Sequence, residues 1–179
     1  IVAIKTFFRF LVAEGFLLHD PAAHLEYPKH RLALPAVLSE PEIGRLMQTP
    51  DVATGAGLRD RTLLELLYGT ALRNSEICSL TLEQVDLGQH LVRLQKGKGN
   101  KGRVVPFGQE AQHWLELYLE KVRPGWLREP SLTAIFLDRW GHRALSRGGL
   151  TQIVRELGRQ AELGKVVTPH TLRHSCATH

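Results

Sequence analysis

Four side chains in this 179-residue sequence, Arg73, Lys98, His170 and Arg173, have types and neighbours suited to holding a phosphate. None of them is a strong nucleophile at neutral pH. Arg73 sits in Tyr68-Gly69-Thr70-Ala71-Leu72-Arg73-Asn74-Ser75-Glu76, between two apolar helical segments, at or next to a helix N-terminus. Unpaired backbone N–H groups there already favour an anion. His170 and Arg173 belong to Thr168-Pro169-His170-Thr171-Leu172-Arg173-His174-Ser175. Thr168 is an N-cap and Pro169 suits the first helical position, so the imidazole and the guanidinium project from one face at i, i+3. Two arginines can grip the non-bridging oxygens of a phosphodiester and stabilise the charge of a pentacoordinate transition state. A lysine among glycines can protonate a leaving oxygen, and a histidine can move a proton or hydrogen-bond the phosphate. Glu76, one turn from Arg73, would orient or neutralise it; the plainer alternative is an ordinary surface ion pair.

Competing chemistries fit less well. His170 and His174 stand at i, i+4 as metal ligands can, but Thr171 occupies the place of the glutamate in a His-Glu-x-x-His helix, and no carboxylate cluster accompanies them. Gly97-Lys98-Gly99 lacks the pattern of a nucleotide-binding loop. No metal and no cofactor is therefore expected.

The elements that must position these groups read as mainly α with a small β-hairpin. Residues 1–27 form a helix up to Gly15, then an Asp20-Pro21 turn into a further helical piece. Residues 28–38, with two prolines and two basic side chains, read as a linker to a domain over 39–179. That domain opens with a Ser39/Glu42 capping box and a Leu38/Ile43 hydrophobic staple. Gly55-Ala56-Gly57 reads as a loop before a leucine-rich helix ended by Gly69. Asn74 or Ser75 then caps a helix to about Leu82, with Leu63, Leu64, Leu66, Leu67, Ile77 and Leu80 in one core. Leu91–Leu94 and Val104–Phe107 read as strands flanking the glycine- and lysine-rich loop. A helix from Gln109 ends at Pro124, Ala134–Leu137 is a short strand, and a helix runs from Leu150 to about Leu163.

Composition narrows the function classes. The hydrophobic content of 43% is that of a globular chain, and the net charge of +5 gathers in clusters such as Lys96, Lys98, Lys101 and Arg103, which suits a polyanionic partner. Lys101 and Arg103 are candidate DNA contacts. Cys78 and Cys176 lie in apolar helical patterns and read as small buried residues in a reducing compartment. With no secretory leader and no membrane-length apolar run, a cytoplasmic protein is expected. Ile1 begins inside an amphipathic pattern and His179 falls mid-helix, so the chain reads as a fragment.

Taken in order, G-T-A-L-R-N-S-E, G-K-G-N-K and H-T-L-R-H resemble the tyrosine recombinase (phage integrase) family, closest to its Xer-like members. The resemblance runs over almost the whole chain. It implies an α+β catalytic domain over 39–179, incomplete at its C-terminal end, preceded over 1–27 by the tail of a helical, SAM-like core-binding domain. It implies site-specific DNA cleavage and rejoining through a 3′-phosphotyrosyl intermediate, without metal or nucleotide. By the same resemblance Arg73 is the first catalytic arginine, Glu76 its support, and Lys98 the hairpin general acid, with Lys96 and Lys101 as nearby alternatives. His170 and Arg173 form the opposite wall. The partner implied is a double-stranded recombination site held by a homo- or hetero-tetramer, with no membrane involved. The family's nucleophilic tyrosine follows the His-x-x-Arg helix, whereas Tyr27, Tyr68 and Tyr118 all precede it, so residues 1–179 are expected to hold DNA phosphate without cutting. A non-catalytic DNA-binding remnant and a type IB topoisomerase-like enzyme remain as alternatives.

Overall fold

The computed structural model describes residues 1–26, 37–94 and 102–179, and its chain divides into two compact units, Ile1–Leu34 and Pro35–His179. In the first unit α1 spans Val2–Ala13. Its buried residue is Lys5, whose ammonium donates to the carbonyls of Ala23 (3.1 Å) and Leu25 (2.7 Å). The apolar Ile4, Phe7 and Phe10 are exposed. Asp20 forms an Asx turn, accepting from the Ala22 N–H at 2.8 Å, but residues 21–24 close only turns and the further helical piece does not form.

The second unit is built around α3, Gly55–Thr70. This helix packs against α5 (Gln109–Lys121) and α8 (Pro169–Thr178), with α2 (Glu40–Gln48) and α4 (Asn74–Cys78) alongside. Leu63, Leu64, Leu66, Leu67, Ile77 and Leu80 are fully buried in one core, as their helical spacing predicts, and Leu72 between the helices joins them. The Ser39/Glu42 box is present, and Leu38 and Ile43 are buried. Glu42 also takes Lys165 at 2.8 Å, and that bond with the capping bond from Ser39 brings its carboxyl down to about 2.

Several boundaries differ from the sequence reading, mostly because the capping residue is not the one the local pattern suggested. Gly55, Ala56 and Gly57 are the first turn of α3, since the Thr54 hydroxyl accepts the Gly57 N–H at 3.0 Å and caps it. Gly69 does not stop α3; the helix runs on to Thr70 and ends at Ala71 in the left-handed region, φ 48°. The N-cap of α4 is Arg73, not Asn74 or Ser75, and α4 closes at Cys78 before a 3-10 turn over Leu82–Gln84. Pro124 does not end α5, which finishes at Lys121; it opens the short α6, Arg123–Trp126. Helix α7 spans Arg147–Gln160 rather than 150–163, because Ser146 caps it through the Gly149 N–H.

The sheet has three antiparallel strands in the order β1 (Val85–Asp86), β2 (Leu91–Leu94) and β3 (Arg103–Pro106). Both strands of the expected hairpin are present, with Leu94 opposite Arg103, and the two-residue β1 is an addition. Ala134–Leu137 is not a ladder strand. It makes single bridges, Thr81 to Ala134 and Leu137 to Ala144, and the buried Arg123 guanidinium donates to the carbonyls of Ala134 and Leu132. Cys78 is buried, Cys176 half-buried, and both are free thiols. Among the described residues no helix is long and apolar enough to cross a membrane.

Gly57 is required by close approach, since a Cβ there would lie 1.9 Å from the Asp51 carbonyl oxygen. Gly57→Ala is expected to destabilise the domain by about 3 kcal/mol and lower the thermal midpoint by roughly 6–12 °C, measured by calorimetry; an unchanged midpoint would contradict the packing described.

Candidate active site

Arg73, His170 and Arg173 meet at one cleft of about 340 Å³, lined also by Leu72, Asn74, Thr151, Thr168 and Pro169. Two helix starts supply it. On one wall α3 reverses through Ala71, whose carbonyl accepts the Arg173 guanidinium, and Leu72 fills the core beneath Arg73. On the other wall α8 begins at Pro169, with the Thr168 hydroxyl accepting the Thr171 N–H at 3.1 Å. Ser175 anchors that helix by accepting the Leu38 N–H at 2.9 Å. The Arg73 side chain is 60% exposed, so its guanidinium is open to a ligand. No acidic side chain lines the cleft among the described residues.

Glu76 does more than the sequence indicates. Its carboxylate accepts the Arg73 backbone N–H at 2.7 Å, which caps α4, and the Arg73 Nη1 at 3.2 Å. Both of its oxygens also take the fork of Arg103, at 2.8 and 2.7 Å. Partial burial pulls the Glu76 carboxyl up; the hydrogen bonds from Arg103 and from the Arg73 N–H outweigh this and hold it below its ordinary value. Arg103, expected as a DNA contact, thus has its guanidinium tied to Glu76 and fastens the base of the hairpin beside Arg73. Lys98 and Lys101, with the alternative Lys96, lie outside the described residues, as does Tyr27.

Three contacts escaped the sequence reading, though their residues were named in it for other roles. Asn74 donates to Thr151 Oγ1 at 3.1 Å and to the Arg147 carbonyl at 3.3 Å, binding α4 to α7. Nothing local to Asn74 marks that contact. Arg103 as the main partner of Glu76 had one usable signal, its strand alternation with the half-buried Val105. His174 places its Nε2 3.0 Å from that of His170. The wall beyond Asn74 and Thr151 continues as a groove lined by Arg147, Arg155 and Arg159, the last paired with Glu156 at 2.6 Å. Among the described residues no group of three or more His, Cys, Asp or Glu could hold a metal ion.

The family profile described as "Phage integrase family" matches residues 36–179. The chain belongs to that family. Of the curated relatives it matches, tyrosine recombinase XerD of Staphylococcus epidermidis is 44% identical over 179 residues, covering 100% of this chain and 60% of the relative. This chain therefore spans less than two thirds of that relative's length. Among solved structures, XerA recombinase matches with 28% identity and a TM-score of 0.72, covering 98% of this chain and 59% of that one. XerH site-specific recombinase bound to its difH substrate, a pre-cleavage complex, matches with 25% identity and a TM-score of 0.66, covering 81% and 42%. The mostly helical fold with a small antiparallel sheet is that of the tyrosine recombinase catalytic domain.

Because the Glu76 carboxyl is held below its ordinary value of 4.5, its ion pairs stabilise the fold above that pH, and the contribution fades as pH falls below it. Glu76→Gln is expected to lower stability by about 1–2 kcal/mol near neutral pH. Urea unfolding of both proteins should show that gap shrinking well below pH 4.5; a gap independent of pH would contradict the charge-based account.

Proposed function

We propose that this chain is the phosphate-holding part of a site-specific DNA recombinase, and that its partner is a duplex recombination site. The observation that carries the reading is the convergence of Arg73, His170 and Arg173 on one cleft without an acidic lining residue. Such a cleft suits a phosphodiester: donors from two directions can take the non-bridging oxygens and strengthen as charge builds on them. The 44% identity to a XerD recombinase supports the same reading.

In the chemistry that the family membership suggests, a tyrosine oxygen attacks the phosphorus and the 5′ oxygen leaves with a proton. The new phosphotyrosyl ester keeps the bond energy for rejoining. Arg73 and Arg173 hold the phosphate, Glu76 keeps Arg73 aimed, Lys98 gives the proton to the leaving oxygen, and His170 hydrogen-bonds the phosphate or moves a proton. Neither described tyrosine lines the cleft: Tyr118 is fully buried and donates to the Ile135 carbonyl at 3.2 Å, and the Tyr68 hydroxyl meets His179 Nδ1 at 2.8 Å. The nucleophile in this proposal belongs to a segment after the His-x-x-Arg helix, and the whole protein works as a tetramer on DNA.

Residues 1–179 are expected to bind short duplex DNA with steep salt dependence and to form no covalent adduct stable to denaturant. Arg73→Ala and Arg173→Ala should each weaken binding about tenfold and flatten the plot of log affinity against log salt by about 0.9. Fluorescence anisotropy over a salt series reads both quantities. Binding that neither variant alters would place DNA elsewhere, and a covalent adduct would mean that one of the tyrosines within this chain is the nucleophile.

A further inference from the structure

We propose that His174 is a positioning residue for His170: in the DNA-free protein it accepts the His170 Nε2–H and so keeps that proton, and the ring that bears it, in place until a phosphate oxygen competes for it. The proposal rests on the reading of His170 as a group that faces phosphate.

The two residues stand one turn apart on α8, and their rings meet edge to face with centroids 4.3 Å apart and planes at 76°. Their Nε2 atoms are 3.0 Å apart, the length of an N–H···N hydrogen bond, so one nitrogen carries the hydrogen and the other accepts it. The surroundings decide which. His170 is in the first turn of α8, where backbone N–H groups lack intrahelical acceptors. It shares the cleft with the guanidiniums of Arg73 and Arg173 and with no carboxylate among the described residues. These neighbours offer hydrogens. An imidazole among them does best with a lone pair toward the donors and its own hydrogen directed away, toward His174. The Glu76 carboxylate, one turn from Arg73, is already committed to Arg103 and Arg73. His174, half-buried on the same helix, is thus the acceptor at hand. When DNA enters, a phosphate oxygen becomes a second and charged acceptor, and charge-assisted hydrogen bonds are the stronger kind. The proton then lies on the nitrogen that can turn to the phosphate, with no change of tautomer required.

Nitrogen-15 NMR of the 179-residue chain at low temperature tests this directly. A scalar coupling between the two Nε2 atoms, carried by a proton bonded to His170, is the expected result. His174→Gln, whose amide oxygen can still accept, should keep that proton protected, and His174→Phe should speed its exchange about tenfold, the loss of one hydrogen bond. No coupling in the unaltered protein, a coupling carried by a proton on His174, or equal exchange in the phenylalanine variant would each overturn the proposal. The unaltered protein alone decides it if a variant fails to fold. Addition of a short duplex separates this from the functional reading. Loss of the coupling on binding supports both, whereas a coupling that persists under saturating duplex leaves the histidine pair standing and removes His170 from the phosphate site.

Discussion

The Glu76 carboxylate is the interaction on which the site depends. Four hydrogen bonds converge on its two oxygens: the Arg73 backbone N–H, the Arg73 side chain and both arms of Arg103. One of these caps α4, one aims the exposed arginine, and two fasten β3 to the helix. Without the carboxylate, the guanidiniums of Arg73 and Arg103 would face each other without compensation, and the five-residue α4 is too short to hold its first turn by propensity. A surface ion pair of one lysine and one glutamate contributes little. A forked pair that also caps a helix resists motion in several directions at once.

A second constraint joins the two walls. Ala71 adopts a left-handed conformation, unusual for a residue with a side chain, and its carbonyl takes the guanidinium of Arg173. Arg173 therefore reads the position of the turn that presents Arg73, and the two arginines that line the cleft cannot drift independently. The turn is held from below by Leu72, fully buried, and from the side by Asn74 through Thr151. Strain in the backbone at Ala71 persists because the core residue after it and the arginine above it both depend on that path.

Much of the fold was legible because apolar periodicity and capping residues act over short distances. The leucines of α3, the Ser39/Glu42 box and the Thr168-Pro169 start of α8 all correspond to observed elements, as do the strands read at Leu91–Leu94 and Val104–Phe107, the second of them one residue early in the structure at Arg103–Pro106. The errors came where an unrecognised cap or a distant partner outweighed the local signal. Gly55–Gly57 looked like a loop, but Thr54 caps it and Asp51 lies against it; Ala134–Leu137 looked like a strand, but its Ala134 carbonyl takes the Arg123 guanidinium and its Ile135 carbonyl the Tyr118 hydroxyl instead of a ladder.

By itself the sequence marked the side chains whose types suit a phosphate and the helix starts on which Arg73, His170 and Arg173 lie, since residue type, capping and i, i+3 spacing are properties of neighbouring positions. It also carried the family, through three short motifs in order. Only the tertiary structure decided that Arg73 and the His170–Arg173 pair, about a hundred residues apart in the chain, share one cleft. Only the structure, too, showed that Arg103 pairs with Glu76, that Asn74 reaches α7, and that the His174 and His170 rings lie 3.0 Å apart. The physical reason is that a guanidinium or carboxylate has no preferred partner until packing of the apolar core brings one within 3 Å or so, and no pattern of neighbours in the chain encodes which one that is.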